Sequence, residues 1–274
     1  MIENSPQGGR KVLLEGKNAV VYGGAGPVGR AVAHAFAREG ARVFLAGRTL
    51  ATLDEVAREI ADAGGAVETA RVDALDEPAV DGHADAVAER VGGIDVSFNA
   101  IGHGDVHGLP LLEMPFEDFA RPITTAMRAQ YLTTRAAARH MVRQGSGVIM
   151  AVTATTARLA IPEVGGTGVT FDAIESQCRQ WASELGRHGV RVLWLQTTGL
   201  PEALTDEVQP GYGAGSGDAM TQAELIAWMR RSTMLDRLTT LAEVGTMAAF
   251  MASDHAGAVT GVGANLTCGQ APPR

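Results

Sequence analysis

Gly24, Gly26 and Gly29 form a G-x-G-x-x-G run inside "VVYGGAGPVGRAV". The run follows a short apolar stretch and opens a helical pattern. In that context glycines let the backbone approach a pyrophosphate, and a helix N-terminus supplies free N–H groups and positive potential. Pro27 and Val28 fall in the first helical turn, where the missing proline N–H costs nothing. The plainer alternative is a purely structural strand-to-helix turn. About 20 residues onward an acidic side chain would hold the ribose hydroxyls of NAD. The chain has "LAGRT" there, so Arg48 offers a guanidinium to a 2′-phosphate instead. The expected cofactor is NADP(H), in preference to NAD.

Other groups able to do chemistry lie further along. "GHGDVHG" supplies His103, Asp105 and His107, and a histidine can donate a proton near neutral pH. "TATTARLAIPEVGGTG" supplies Thr153, Thr155, Arg158, Glu163 and Thr167. Hydroxyls there could orient a substrate, and Glu163 could steady a cationic one. Tyr212, in "PGYGAGSG", could be carried into a pocket by a closing lid. Each has a plainer reading: solvated loops for the histidines and Tyr212, local backbone bonding for the threonines, surface exposure for Glu163. Trp228 and Met229 either roof an apolar pocket or pack a helix on the body. Cys178 and Cys268 have no metal or disulfide spacing, so they read as reduced and structural, and no metal is expected.

These groups need elements to position them. Strand-like runs alternate with helix-like ones. "NAVVYG" precedes a helix over Pro27 to Arg38, "ARVFLA" precedes "TLATLDEVAREIADAG", and "AVETARVD" precedes a helix from Glu77 to Val91. "IDVSFNAIG" precedes "TAMRAQYLTTRAAARHMVRQG"; "SGVIMAVTA" precedes "AIESQCRQWASELGRHG". "VRVLWLQT", "LAEVGTMAAFMAS" and "GVGANLTC" complete the series. Apolar runs without polar alternation suit strands buried on both faces of a parallel sheet. The expectation is one α/β domain with a Rossmann-like doubly wound sheet over 16–270. Loose tails are expected at 1–15 and 271–274, and a substrate lid at 201–238, where Gly, Pro and polar residues interrupt the rhythm.

The chain has 274 residues, 46% hydrophobic and 20% charged, enough for one substantial core. A net charge of −8 without basic clusters argues against nucleic-acid binding. No apolar run reaches the roughly 18 residues of a membrane span, and the N-terminal segment lacks a signal-peptide core. A cytoplasmic location is expected.

Together these motifs resemble the short-chain dehydrogenase/reductase family over roughly Gly16 to Gln270. "YGGAGPVG" resembles the family's T-G-x-x-x-G-x-G, matching Gly23 and Gly29. "VDALDE" is similar to the segment whose aspartate contacts adenine, which implies a cofactor role for Asp73 and its neighbour Ala74. "FNAIG" resembles N-N-A-G, bringing Asn99, Ala100, Ile101 and Gly102 to the cofactor. "TTG", with Thr198 and Gly199, stands at the family's P-G. The resemblance also implies a homodimer or homotetramer through the two long helices, and a small-molecule substrate.

The family's tyrosine, lysine, serine and asparagine map to Thr167, Phe171, Ala154 and Ala126. Lysine occurs only at Lys11 and Lys17, and tyrosine only at Tyr22, Tyr131 and Tyr212. A threonine hydroxyl is far too weak an acid to replace a tuned phenol, and losing a positioned acid costs roughly 10²- to 10⁴-fold. The expected activity is therefore NADPH-dependent hydride transfer to an imine, an iminium or an activated C=C. An inactive NADP-binding sensor or partner protein, and a redox-neutral isomerase or cyclase, stay open beside it.

Overall fold

The computed structural model describes residues 12–204 and 221–270. Tyr212 and most of the expected tails thus lie outside the described residues. Residues 12–15 were expected in the loose tail but are held down. Leu14 is fully buried in the core, and the Leu13 N–H donates to the Glu39 carboxylate at 3.1 Å. Two adjacent leucines outweigh the polar composition around them.

Seven parallel strands form one sheet in the order β3-β2-β1-β4-β5-β6-β7. The strands are β1 (Asn18–Tyr22), β2 (Arg42–Gly47), β3 (Val67–Arg71), β4 (Val96–Asn99), β5 (Gly147–Ala154), β6 (Val190–Thr197) and β7 (Gly263–Leu266). Helices α1 (Pro27–Arg38), α2 (Leu50–Asp62) and α7 (Leu241–Ala252) cover one face. Helices α3 (Glu77–Val91), α4 (Phe116–Gln144) and α5 (Thr167–Leu185) cover the other. Alternate strand residues serve opposite cores: Val21, Leu45 and Phe98 meet the first layer, and Val20, Phe44 and Ile149 the second. That is why the strands read as unbroken apolar runs.

The strand order reverses between β1 and β4, which opens a crevice at the C-terminal ends of the strands. Two helices begin earlier than the sequence pattern indicates. α4 starts at Phe116 and carries Pro122 in its interior, and α5 starts at Thr167 rather than Ala173. Within the expected lid, α6 (Gln222–Arg231) begins with a reciprocal cap between Thr221 and Glu224. Its Leu225 and Met229 pack with Leu238, while Trp228 stays partly exposed. Among the described residues no helix is long and apolar enough to cross a membrane.

Candidate active site

β1 delivers the chain into the glycine loop. Gly23 has φ 75°, and a Cβ there would lie 2.5 Å from the Ala100 carbonyl oxygen. At Gly29 a Cβ would lie 2.2 Å from the Gly23 oxygen, so α1 sits against the turn only because the side chain is absent. Gly26 is the N-cap of α1 and brings no side-chain cap. The first-turn N–H groups therefore receive no side-chain cap from this chain's own N-cap residue.

A cavity of about 280 Å³ opens over this loop. Among the residues expected to hold a cofactor, Gly23, Gly26, Arg48, Asp73, Ala74, Ala100, Ile101 and Gly102 line it. Arg48 is exposed at the end of β2, and Asp73 at the end of β3. A cavity with a glycine cradle, an uncapped helix start and an exposed guanidinium among its lining fits the phosphates of a dinucleotide. Tyr22, Thr52 and Thr125 also line the cavity, and no local pattern singles them out. The Tyr22 phenol is pushed well above its usual range by burial, with Asp81 adding to the effect, so it stays protonated.

The other expected cofactor residues do not line this cavity. A Cβ at Gly24 would press on Leu45, and Pro27, Val28 and Gly29 belong to the first turn of α1. Asn99 is buried; its amide donates to Thr133 at 2.9 Å, and its carbonyl oxygen accepts the Ile101 N–H at 3.1 Å. It thereby fixes the turn carrying Ala100 to Gly102. Thr198 donates to the Gln270 side chain, which also accepts from Thr155 at 2.9 Å. Gln270 in turn donates to Ser232 at 2.7 Å. Gly199 lies under the Met229 sulfur, where a Cβ would come within 2.4 Å.

A second cluster gathers beyond Gly102. Thr167 opens α5, and the turn before it is made of Gly165 and Gly166. Gly165 has φ 54°, and a Cβ on it would lie 2.7 Å from the Val106 carbonyl oxygen. A Cβ on Gly166 would lie 2.1 Å from the Phe119 oxygen at the start of α4. This close packing presses the tip of α5 onto the loop after β4. There the Thr167 hydroxyl donates to the Asp105 carboxylate at 3.0 Å, with the His107 Nε2 at 2.9 Å from the same oxygen. One turn on, Phe171 meets the His103 ring edge-on, with centroids 5.9 Å apart. Burial lowers the pKa of both histidines, and Asp105 opposes the shift in each.

The structure thus brings together His103, Asp105, His107 and Thr167, and directs the other candidates elsewhere. Thr155 is buried against Gln270. Thr153 and Arg158 turn to Glu175, a carboxylate only 2% exposed, at 3.3 and 3.2 Å. Gln196 donates to the same carboxylate at 3.1 Å. Glu163 has φ 62°, and its backbone carbonyl accepts the Gly108 N–H at 2.8 Å, tying two loops together. Sequence reasoning missed Glu175 and Gln270, because their partners lie far away along the chain. Among the described residues no cluster of three or more His, Cys, Asp or Glu could hold a metal ion.

Comparison with known proteins supplies the context. A family model described as Enoyl-(Acyl carrier protein) reductase matches residues 23–269. An uncharacterized oxidoreductase of Bacillus subtilis (strain 168) is 30% identical over 248 residues, covering 90% of this chain and 88% of that protein. The crystal structure of an NAD+-bound xylitol dehydrogenase superposes with a TM-score of 0.85 at 24% identity, covering 92% of this chain and 98% of the other. A gluconate 5-dehydrogenase from Burkholderia cenocepacia, in complex with NADP and tartrate, superposes with a TM-score of 0.82 at 23% identity, covering 95% and 97%. The two structural likenesses speak to the fold.

Proposed function

The chain belongs to the short-chain dehydrogenase/reductase family, and from that premise we propose that it is an NADP(H)-dependent oxidoreductase that reduces an imine, an iminium or an activated C=C. The bound nicotinamide would supply or accept hydride. In this reading Gly23, Gly24, Gly26, Pro27, Val28 and Gly29 seat the pyrophosphate. Arg48 takes the 2′-phosphate, which supports NADP over NAD. Asp73 and Ala74 flank the adenine, and Asn99 to Gly102 with Thr198 and Gly199 form the floor beside the nicotinamide.

One observation carries the choice of substrate class. The hydroxyl at the head of α5 is backed by an anion, Asp105, and the residue four places on is an apolar ring, Phe171. A phenol backed by an ammonium favours negative charge growing on oxygen. A hydroxyl backed by a carboxylate favours a positive group such as a protonated C=N. No lysine follows Lys17, so no ammonium from this chain can take the missing role. The enoyl-reductase description of the matching family model is in keeping with the C=C arm. A cytoplasmic homodimer or homotetramer is part of the same reading; Tyr131 of α4, its ring tilted against Trp181 of α5 and exposed, offers an aromatic surface for a second copy.

The test is titration of NADPH and NADH, followed by a panel of ketones, cyclic imines and activated alkenes. NADPH should bind more tightly, and imines or alkenes should turn over faster than ketones. Faster ketone reduction overturns the substrate class. Cofactor binding without oxidation points to a sensor, and product formation without net oxidation to an isomerase.

A further inference from the structure

We propose that Tyr22 is a recognition residue for the purine base of the cofactor, its hydroxyl donating a hydrogen bond to a ring nitrogen; the proposal rests on the dinucleotide reading above. Tyr22 ends β1 and lines the cavity over the glycine loop, yet only 2% of it is exposed. No described residue makes a hydrogen bond to its hydroxyl, and the oxygen is not among the fully enclosed polar atoms that lack a partner. It therefore keeps some accessible surface, and the cavity is the space this side chain lines. A hydroxyl at such depth ordinarily finds a partner. Here the partner must come through the cavity, as water or as a ligand that displaces it.

The ring is held in place by the sheet and the core. Tyr22 sits in register between Ala46 of β2 and Asn99 of β4. Its ring belongs to the core layer of Val72, Val80 and Ala84 and meets the His83 ring edge-on, with centroids 6.1 Å apart. Burial, and then the Asp81 charge, keep the phenol protonated, so it always has a proton to give. A fixed donor on a rigid strand suits recognition better than one on a loop.

The surroundings name the chemistry of the partner. Toward β3 the cavity is walled by Ala46, Val72, Ala74 and Leu75, while Asp73 and Thr125 add polar groups. Apolar walls with a few polar groups suit a flat ring that carries hydrogen-bonding atoms. In the proposed reading Arg48, one residue beyond β2, takes the 2′-phosphate, which belongs to the adenosine half of the cofactor. The base on that same ribose, rather than the nicotinamide, is therefore the ring on this side of the cavity. Purine ring nitrogens accept hydrogen bonds and the amino group donates them, so a phenol that gives its proton selects a ring nitrogen.

The experiment removes one oxygen and reads binding, using the full chain. Tyr22→Phe keeps the ring in the core, and because the hydroxyl has no partner in the protein, the variant without ligand should melt no lower than the wild type. Calorimetric titration with adenosine 2′,5′-bisphosphate should show Tyr22→Phe binding roughly three- to tenfold more weakly, the effect of one neutral hydrogen bond. Mono-deaza analogues of the bisphosphate each carry a C–H in place of one ring nitrogen. One of them should bind the wild type about as weakly as the bisphosphate binds Tyr22→Phe, and should lose nothing further in the variant. Equal affinity of the two proteins for the bisphosphate, a lower melting temperature of the unliganded variant, or equal affinity of the wild type for the bisphosphate and all its analogues overturns the proposal alone. Failure of the wild type to bind either NADPH or the bisphosphate overturns the dinucleotide reading and the proposal together.

Discussion

The Asp105 carboxylate accepts a 3.0 Å hydrogen bond from Thr167, a residue 62 positions later in the chain. On the proposed reading its charge favours a cationic substrate. Asp105→Asn should therefore slow a permanently charged iminium roughly three- to tenfold relative to a neutral activated alkene, with the modest size set by exposure and screening. Parallel kcat/KM measurements at low and high salt check this; equal effects on both substrates would remove the electrostatic role.

Arg48 lies exposed on the rim of the cavity, one residue beyond β2. Arg48→Ser should raise the Kd for NADPH about 10- to 100-fold, the cost of a charge-assisted phosphate contact. The Kd for NADH should move far less. Fluorescence titration of both cofactors decides, and a parallel loss of both would assign Arg48 a merely structural part.

Gly29 allows α1 to touch the glycine turn, because a Cβ would stand 2.2 Å from a backbone oxygen that cannot turn aside. Gly29→Ala should cost about 1–3 kcal/mol by overpacking. It should also weaken NADPH binding more than tenfold through the displaced loop. Thermal melts with and without NADPH give both numbers, and a variant with wild-type Tm and affinity would contradict the packing.

His83 on α3 meets the Tyr22 ring edge-on, and burial, aided by Arg90, lowers its pKa to about 4. The folded state prefers the neutral imidazole, so the unfolded chain takes up a proton first as pH falls. The stability contribution is whole above about pH 6.5 and is lost progressively toward pH 4. Urea midpoints between pH 7 and 4.5 should show wild type losing about 2 kcal/mol more than His83→Phe. Equal losses would show that His83 is not the responsive group.

Much of the frame could be read locally. α1 and α3 carry their own boundaries: Pro27 at a first turn, Asp76 accepting the Ala79 N–H, and Gly92 in the left-handed conformation at the end. The start of α5 could not, since Gly165, Gly166 and Gly168 argue against helix in isolation. Their reason is the backbone of other segments, which leaves no room for side chains. Pro122 hid the start of α4 in the same way. His103, Asp105, His107 and Thr167 could be named from their chemistry, but no periodicity joins residues 60 positions apart. Glu175 and Gln270 were invisible because a helix face and a late turn look ordinary until β5 and β6 are laid beside them.

The clasp at Gln270 has a consequence for biosynthesis. One amide near the far end of the chain joins the tip of β5, the turn after β6 and the cap of α6. A ribosome translating this message releases the strands at the middle of the sheet long before that amide exists. The glycine loop and its first strands can settle early, but the bonds that tie Thr155 and Thr198 together must wait until residue 270 has cleared the exit tunnel.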